Sequence, residues 1–125
     1  MVKKTNKDTD SQKLCEVIVE EMQNKNSEDI VIIDLREIEN AITDFFIIGS
    51  GNSTTQVDGI ADAIVRGTRK QLKEKPWHEE GKNNSQWILL DYVNVVVHIF
   101  HKDVRGYYEL EDLWADGKKR HIELN

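Results

Sequence analysis

The stretch from Gln86 to Phe100 constrains the fold more than any other part of the chain. Two apolar runs, Trp87-Ile-Leu-Leu-Asp91 and Val95-Val-Val-His98-Ile-Phe100, are separated only by Tyr92, Val93 and Asn94. Parallel strands need a crossover of a dozen residues or more, so these two can pair only as an antiparallel hairpin. Within the first run Trp87, Leu89 and Asp91 alternate with Ile88 and Leu90. Successive side chains point to opposite faces of a strand, so one face is aliphatic and the other mixes Trp with Asp. The aliphatic face belongs in a core. The Trp–Asp face reads as a surface for recognition.

Elements placed around the hairpin complete a fold. From Asp10, the apolar positions Leu14, Val17, Ile18 and Met22 recur at helical spacing, and Asn24 to Ser27 ends the pattern. Asp29 to Leu35 (DIVIIDL) and Asp44 to Ile48 (DFFII) read as two strands whose nearly continuous apolar character predicts burial on both faces. Ser53 with Gln56 three residues later forms a capping box. Val57, Ile60, Ala61, Ile64, Val65 and Leu72 then mark one face of a helix reaching about Lys73. Pro76 breaks it and admits a short extended piece around Trp77 and His78. A last helix is predicted from about Val104 to Trp114, with Leu110 and Trp114 in the core. The order α-β-β-α-β-β-β-α predicts a single α/β domain, a mixed sheet of about five strands with helices packed on it. Its predicted bounds are 11–116, after a disordered basic segment at 1–10 and before a loose tail at 117–125.

Charge narrows the partners. The terminal stretches 1–13 and 118–125 each contribute +2 to a total of −6, which leaves −10 on residues 14–117. Nucleic-acid affinity comes largely from cations that displace counterions, so an acidic body disfavours DNA or RNA and suits a basic protein partner. Cys15 is the only cysteine and falls inside the first helical pattern, which excludes an internal disulfide. The start of the chain lacks the apolar core of a signal peptide, and no apolar run approaches the roughly 18 residues of a membrane span. A cytoplasmic protein with no membrane partner is expected.

Several constellations invite chemistry. Gly49-Ser50-Gly51 ahead of a helix resembles a phosphate loop, yet the chain has neither a Walker lysine nor a full G-x-G-x-x-G. Glycine-assisted turning with an Asn52/Ser53 cap explains it more simply. A nucleotidyltransferase would need an Asp-x-Asp or Asp-x-Glu pair on a strand to hold Mg²⁺. The strands offer single carboxylates only, at Asp34, Asp44 and Asp91, while Asp58 and Asp62 read as a solvated helix face. His98 and His101 form H-x-x-H, but residues three apart on a strand point to opposite faces, so His98 reads as a buried, hydrogen-bonded histidine. Cys15, among apolar neighbours, reads as an inert thiol. No catalytic residue, cofactor or metal is expected. The late aromatics Trp77, Trp87, Tyr92, Tyr107, Tyr108 and Trp114 are interleaved with acids, the pattern of a protein-binding surface rather than of base stacking.

Over about 14–116 the chain resembles the ribosomal silencing factor family, also called the Iojap family. The match rests on Thr43-Asp44-Phe45-Phe46-Ile47-Ile48, on Gly51-x-Ser53-x-x-Gln56-Val57 with Ile60-Ala61-Asp62, on Glu80-Gly81, and on Trp87 through Asp91. It continues through Val95-Val-Val-His98-x-Phe100, Arg105 and Tyr108-x-Leu110-Glu111-x-Leu113-Trp114. The family usually has Gly-Asp at the hairpin turn where this chain has Val93-Asn94, which moves the expected left-handed residue to Asn94.

That resemblance implies a nucleotidyltransferase-like scaffold without transferase activity. It implies a translational repressor that binds the large ribosomal subunit through its protein number fourteen and blocks joining of the small subunit when nutrients are short. It also admits a homodimer. On this reading Trp87 is the central anchor, Glu80 and Asp91 meet basic residues of the partner, and His98, Arg105 and Tyr108 shape or extend the patch. The competing reading is a nucleotide-binding transferase or phosphatase using the loop at 49–51.

Overall fold

The computed structural model describes residues 2–104 and 118–122, with side chains from Ser11 onward. Among the described residues six strands form one sheet in the order β3-β4-β5-β2-β1-β6. They are β1 (Glu28–Asp34), β2 (Phe45–Gly51), β3 (His78–Glu80), β4 (Trp87–Asp91), β5 (Val95–His101) and β6 (Lys118–Ile122). β2 and β5 pair in parallel, from Phe45↔Val95 to Gly51↔His101, and every other pairing is antiparallel. The hairpin anticipated from 86–100 is β4–β5, with Trp87 opposite Phe100.

Helices α1 (Val2–Asn24) and α2 (Thr54–Leu72) cover one face of the sheet. Leu14, Ile18 and Met22 of α1 and Val57, Ile60 and Ile64 of α2 pack against Ile32, Ile47, Ile88, Leu90, Val97 and Ile99. On the opposite face Val31, Ile33, Phe46, Ile48, Val96 and Phe100 form a second buried cluster. β1, β2 and β5 are therefore buried on both sides, as their unbroken apolar runs predict. The helix layer fits closely because two glycines lack a Cβ. One added at Gly49 would meet Met22 and the Ser27 side chain, and one at Gly67 would run into the Glu21 side chain.

α2 begins as its sequence indicates. Ser53 Oγ accepts from the Gln56 amide at 3.1 Å, and Gln56 Oε1 reaches back to accept from the amide of Asn52, the residue before the cap, at 2.6 Å, a variant of the capping box. The helix closes on Lys73 in the left-handed region at φ 57°.

Three features differ from the expectation. Residues 118–122, expected within a loose tail, form a sixth strand on β1, from Ile30↔Ile122 to Asp34↔Lys118. Lys118, Lys119, Arg120 and His121 show no apolar alternation, because β6 is an exposed edge held mainly by its backbone ladder, with Ile122 alone reaching the core. Secondly, α1 starts at Val2, through the stretch expected to be disordered, where neither Gly nor Pro interrupts a helix.

The third difference is the hairpin turn, whose left-handed residue is Val93 at φ 77° and not Asn94. The neighbouring contacts force it there. Tyr92 is drawn into the helix-side core, where its hydroxyl lies 2.9 Å from Thr68 Oγ1. The Val93 amide donates to Asp91 Oδ1 at 2.7 Å and the Asn94 amide to the Tyr92 carbonyl at 2.9 Å. The Asn94 carbonyl accepts from the amides of Asp44 and Phe45. With both flanks tied, the reversal falls on Val93 in a γ-turn. The expected last helix, with Leu110 and Trp114, lies outside the described residues beyond 104.

Candidate functional site: the aromatic face of the sheet

Antiparallel partners share a face, so the register decides which candidate residues meet. Glu80 pairs with Leu89, Trp87 with Phe100, Leu89 with His98 and Asp91 with Val96. Glu80, Trp87, Asp91 and His98 therefore all lie on the face turned away from α1 and α2. Arg105 and Tyr108, the other two candidates, lie outside the described residues.

Trp87 is half-buried. Its ring stacks on Phe100 with centroids 5.1 Å apart, and its indole Nε1–H donates to His98 Nδ1 at 3.0 Å. His98 also takes an edge contact from Phe46 at 5.1 Å. An acceptor Nδ1 fixes the neutral tautomer with hydrogen on Nε2. Burial pushes the His98 pKa down to about 4, so the imidazole is neutral at ordinary pH. Its Nε2 has no hydrogen-bond partner among the described residues. His98 thus lies beneath Trp87 and holds the indole at a fixed angle. His101 points to the other side, where its Nδ1 accepts from the Asp103 amide at 3.1 Å.

Beside Trp87 the surface dips into a shallow depression of about 310 Å³ lined by Glu80, Gly81, Asn84, Gln86, Trp87 and Leu89. Glu80 is exposed, with its carboxylate 2.6 Å from His78 Nε2. Gly81 takes φ +88°, and a Cβ there would collide with the Trp87 carbonyl oxygen. That explains the Glu80-Gly81 pair physically: the loop can close over β4 only without a side chain. Asp91 is half-buried, and its Oδ1 accepts from the Val93 amide, so it also shapes its own turn.

Of the two acids expected on a solvated helix face, Asp62 is exposed and Asp58 is partly buried, and both reach the loop before β4. Asp58 accepts from the Ser85 hydroxyl at 2.8 Å, and Asp62 pairs with Lys82 at 3.1 Å, so α2 clamps the loop leading to Trp87. No local pattern signals these contacts, because the partners stand more than nineteen residues apart.

The glycine segment at 49–51 belongs to β2 and does not form a loop. Capping groups occupy the Asn52 and Gln56 amides, and the Glu28 carboxylate sits 3.0 Å from Asn52 Nδ2, where it would repel a phosphate. Among the described residues no three of His, Cys, Asp and Glu stand together to hold a metal ion. Cys15 is buried, and its thiol is pushed up to about 12 by that burial, too high for a thiolate nucleophile.

A mixed sheet with helices on one face and a supported tryptophan beside the Glu80 carboxylate on the other defines a small α/β domain. The family model described as ribosomal silencing factor during starvation matches residues 8–125, and the chain belongs to that family. A ribosomal silencing factor of Halalkalibacterium halodurans is 38% identical over 113 residues, covering 90% of this chain and 95% of that protein. One from Bacillus subtilis is 42% identical over 93 residues, 74% of this chain and 76% of that protein. The mouse protein named mitochondrial assembly of ribosomal large subunit protein 1 is 33% identical over 103 residues, 80% of this chain and 44% of its own length. Among solved structures, one from Bacillus halodurans superposes with a TM-score of 0.74 at 36% identity, covering 90% of this chain and 99% of that one. Another from Chromobacterium violaceum gives 0.78 at 25% identity, covering 91% and 92%.

Proposed function

We propose that this protein is a cytoplasmic translational repressor that docks on the large ribosomal subunit through its protein number fourteen and excludes the small subunit sterically. One observation carries the reading: Trp87 stands half-exposed on a sheet face, stacked on Phe100 and tethered to His98, beside the exposed carboxylate of Glu80. A rigid aromatic anchor with a charged rim is the usual make-up of a protein-binding hot spot. Family membership and the large-subunit name of the mouse relative support the ribosome as target. The acidic body of the chain complements the basic surface of a ribosomal protein. Repression then needs occupancy alone.

Co-sedimentation with purified large subunits tests the proposal. Truncating a central anchor removes ~2 kcal/mol or more of binding, about thirtyfold in affinity. A Trp87→Ala variant that keeps its circular dichroism spectrum should therefore leave the large-subunit fraction at concentrations where the parent protein remains bound. Unchanged co-sedimentation of the folded variant would overturn the docking face.

A further inference from the structure

A second cavity lies at the other side of the sheet, between α1 and the β1–β6 edge, away from the Trp87 face. Its volume is about 230 Å³, and its lining includes Cys15, Ile32 and Phe45 with Asp34, Arg36 and Arg120. The register explains the mixture. Arg120 pairs with Ile32 and Lys118 with Asp34, so both cations point to the α1 side, above the apolar floor of Ile32 and Phe45. One wall is fixed in advance. Arg36 holds Asp34 through two side-chain contacts of 3.0 and 2.8 Å and lies over the Phe45 ring at 4.9 Å. The Asp34 charge is thereby compensated, and the hydrogen bond from Arg36 keeps its carboxyl below the usual carboxylate range. Lys118 turns to Glu37 at 3.0 Å. Arg120 forms no ion pair among the described residues and stands exposed at the rim, with Glu16 the remaining carboxylate of the lining.

We propose that this cavity binds a small organic carboxylate with a flat apolar body, whose ring rests on Phe45 and Ile32 and whose carboxylate pairs with the Arg120 guanidinium. Three features point to that class. Arginine presents a planar fork matched to a carboxylate. The floor is apolar, the lining sets Arg36, Lys118, Lys119 and Arg120 against only Asp34 and Glu16, which favours an anion, and the Cys15 thiol stays protonated, so capture is noncovalent. The volume limits the guest. It equals the space of about eight liquid waters, enough for a single-ring acid and below the range of ~300 Å³ or more typical of pockets for drug-sized ligands. The site is independent of the ribosome-docking reading, because it shares no residue with the Trp87 face.

The experiment is a titration of the full ¹⁵N-labelled chain with benzoate, with benzylamine as a cationic control of the same shape, followed by NMR. Benzoate should give saturable shifts centred on Cys15, Ile32, Phe45 and Arg120. Benzylamine should give none. Arg120 is an exposed edge-strand side chain, so Arg120→Glu should keep the fold and weaken benzoate binding at least tenfold, the scale of one lost charge-assisted pair. Absence of saturation by about 10 mM would overturn the site, since binding that weak marks no pocket. Equal response to benzylamine, equal binding by Arg120→Glu, or shifts centred on other residues would overturn it as well.

Discussion

The indole Nε1–H of Trp87 donates to Nδ1 of His98 across the β4–β5 ladder at 3.0 Å, a bond that exists only while the imidazole is neutral. Burial favours that neutral form by lowering the His98 pKa from 6.5 to about 4. The anchor of the candidate docking face and a buried titratable group are thus one unit, and the first two predictions follow from taking it apart.

The pH dependence has a definite sign. Above pH 6.5 both folded and unfolded chains keep His98 neutral, and its contribution to stability is fully present. As pH falls from 6.5 towards 4, the unfolded chain takes up a proton that the folded one refuses, so stability declines by ~1.4 kcal/mol per unit, about 3 kcal/mol in all. Urea unfolding between about pH 7.5 and 5 should show this slope in the parent protein and a shallower one in His98→Gln, with the other histidines common to both. Identical slopes would show that His98 is not held neutral.

Trp87→Phe separates the ring from the donor. The phenyl group can still stack on Phe100, but His98 loses the partner of Nδ1 in a site where Nε2 already lacks one among the described residues. A buried acceptor left unmade costs about 2 kcal/mol, whereas removing both partners together is nearly neutral. The double variant Trp87→Phe, His98→Leu should therefore be more stable than the sum of the two single losses predicts. Strict additivity in a double-mutant cycle by chemical denaturation would mean that the bond carries no energy.

What could be read in the residues depends on the range of the forces involved. The α2 cap at Ser53 and Gln56, the double burial of β1, β2 and β5, and the shared face of Trp87 and Asp91 were legible, because each follows from spacing within one element. β6 was not, because Lys118-Lys119-Arg120-His121 is an edge whose stabilising bonds come from the β1 backbone. The roles of Asp58 and Asp62 were hidden by the chain separation from Ser85 and Lys82. The Asp91 bond to the Val93 amide was hidden too, since it depends on a turn that composition alone does not specify.

Gly81 connects the loop to the anchor. Any Cβ at this position meets the Trp87 carbonyl, and φ +88° penalises L-residues even without the collision. Gly81→Ala should lose about 3 kcal/mol, the sum of left-handed backbone strain and displacement of the β4 chain. Thermal unfolding measures the loss, and tryptophan fluorescence at low temperature should report a displaced indole. A variant as stable as the parent would show that the loop does not close over β4 in solution.

Val93 offers the opposite outcome, a substitution that improves the fold. A β-branched residue at φ 77° carries backbone strain of about 1–3 kcal/mol. Glycine removes that strain but adds chain entropy to the unfolded state, which costs about 0.5–1 kcal/mol. Little burial is lost, because Val93 is already 46% exposed. The strain exceeds the entropy, so Val93→Gly should stabilise the protein by about 1 kcal/mol. The contacts that shape the turn are the amides and carbonyls of Tyr92, Val93 and Asn94 and the Asp91 carboxylate, and all of them survive the substitution. Chemical denaturation should show a higher midpoint with an unchanged slope, the signature of altered stability without altered compactness. An unchanged or lower midpoint would place the left-handed residue at Asn94, where the sequence alone had put it.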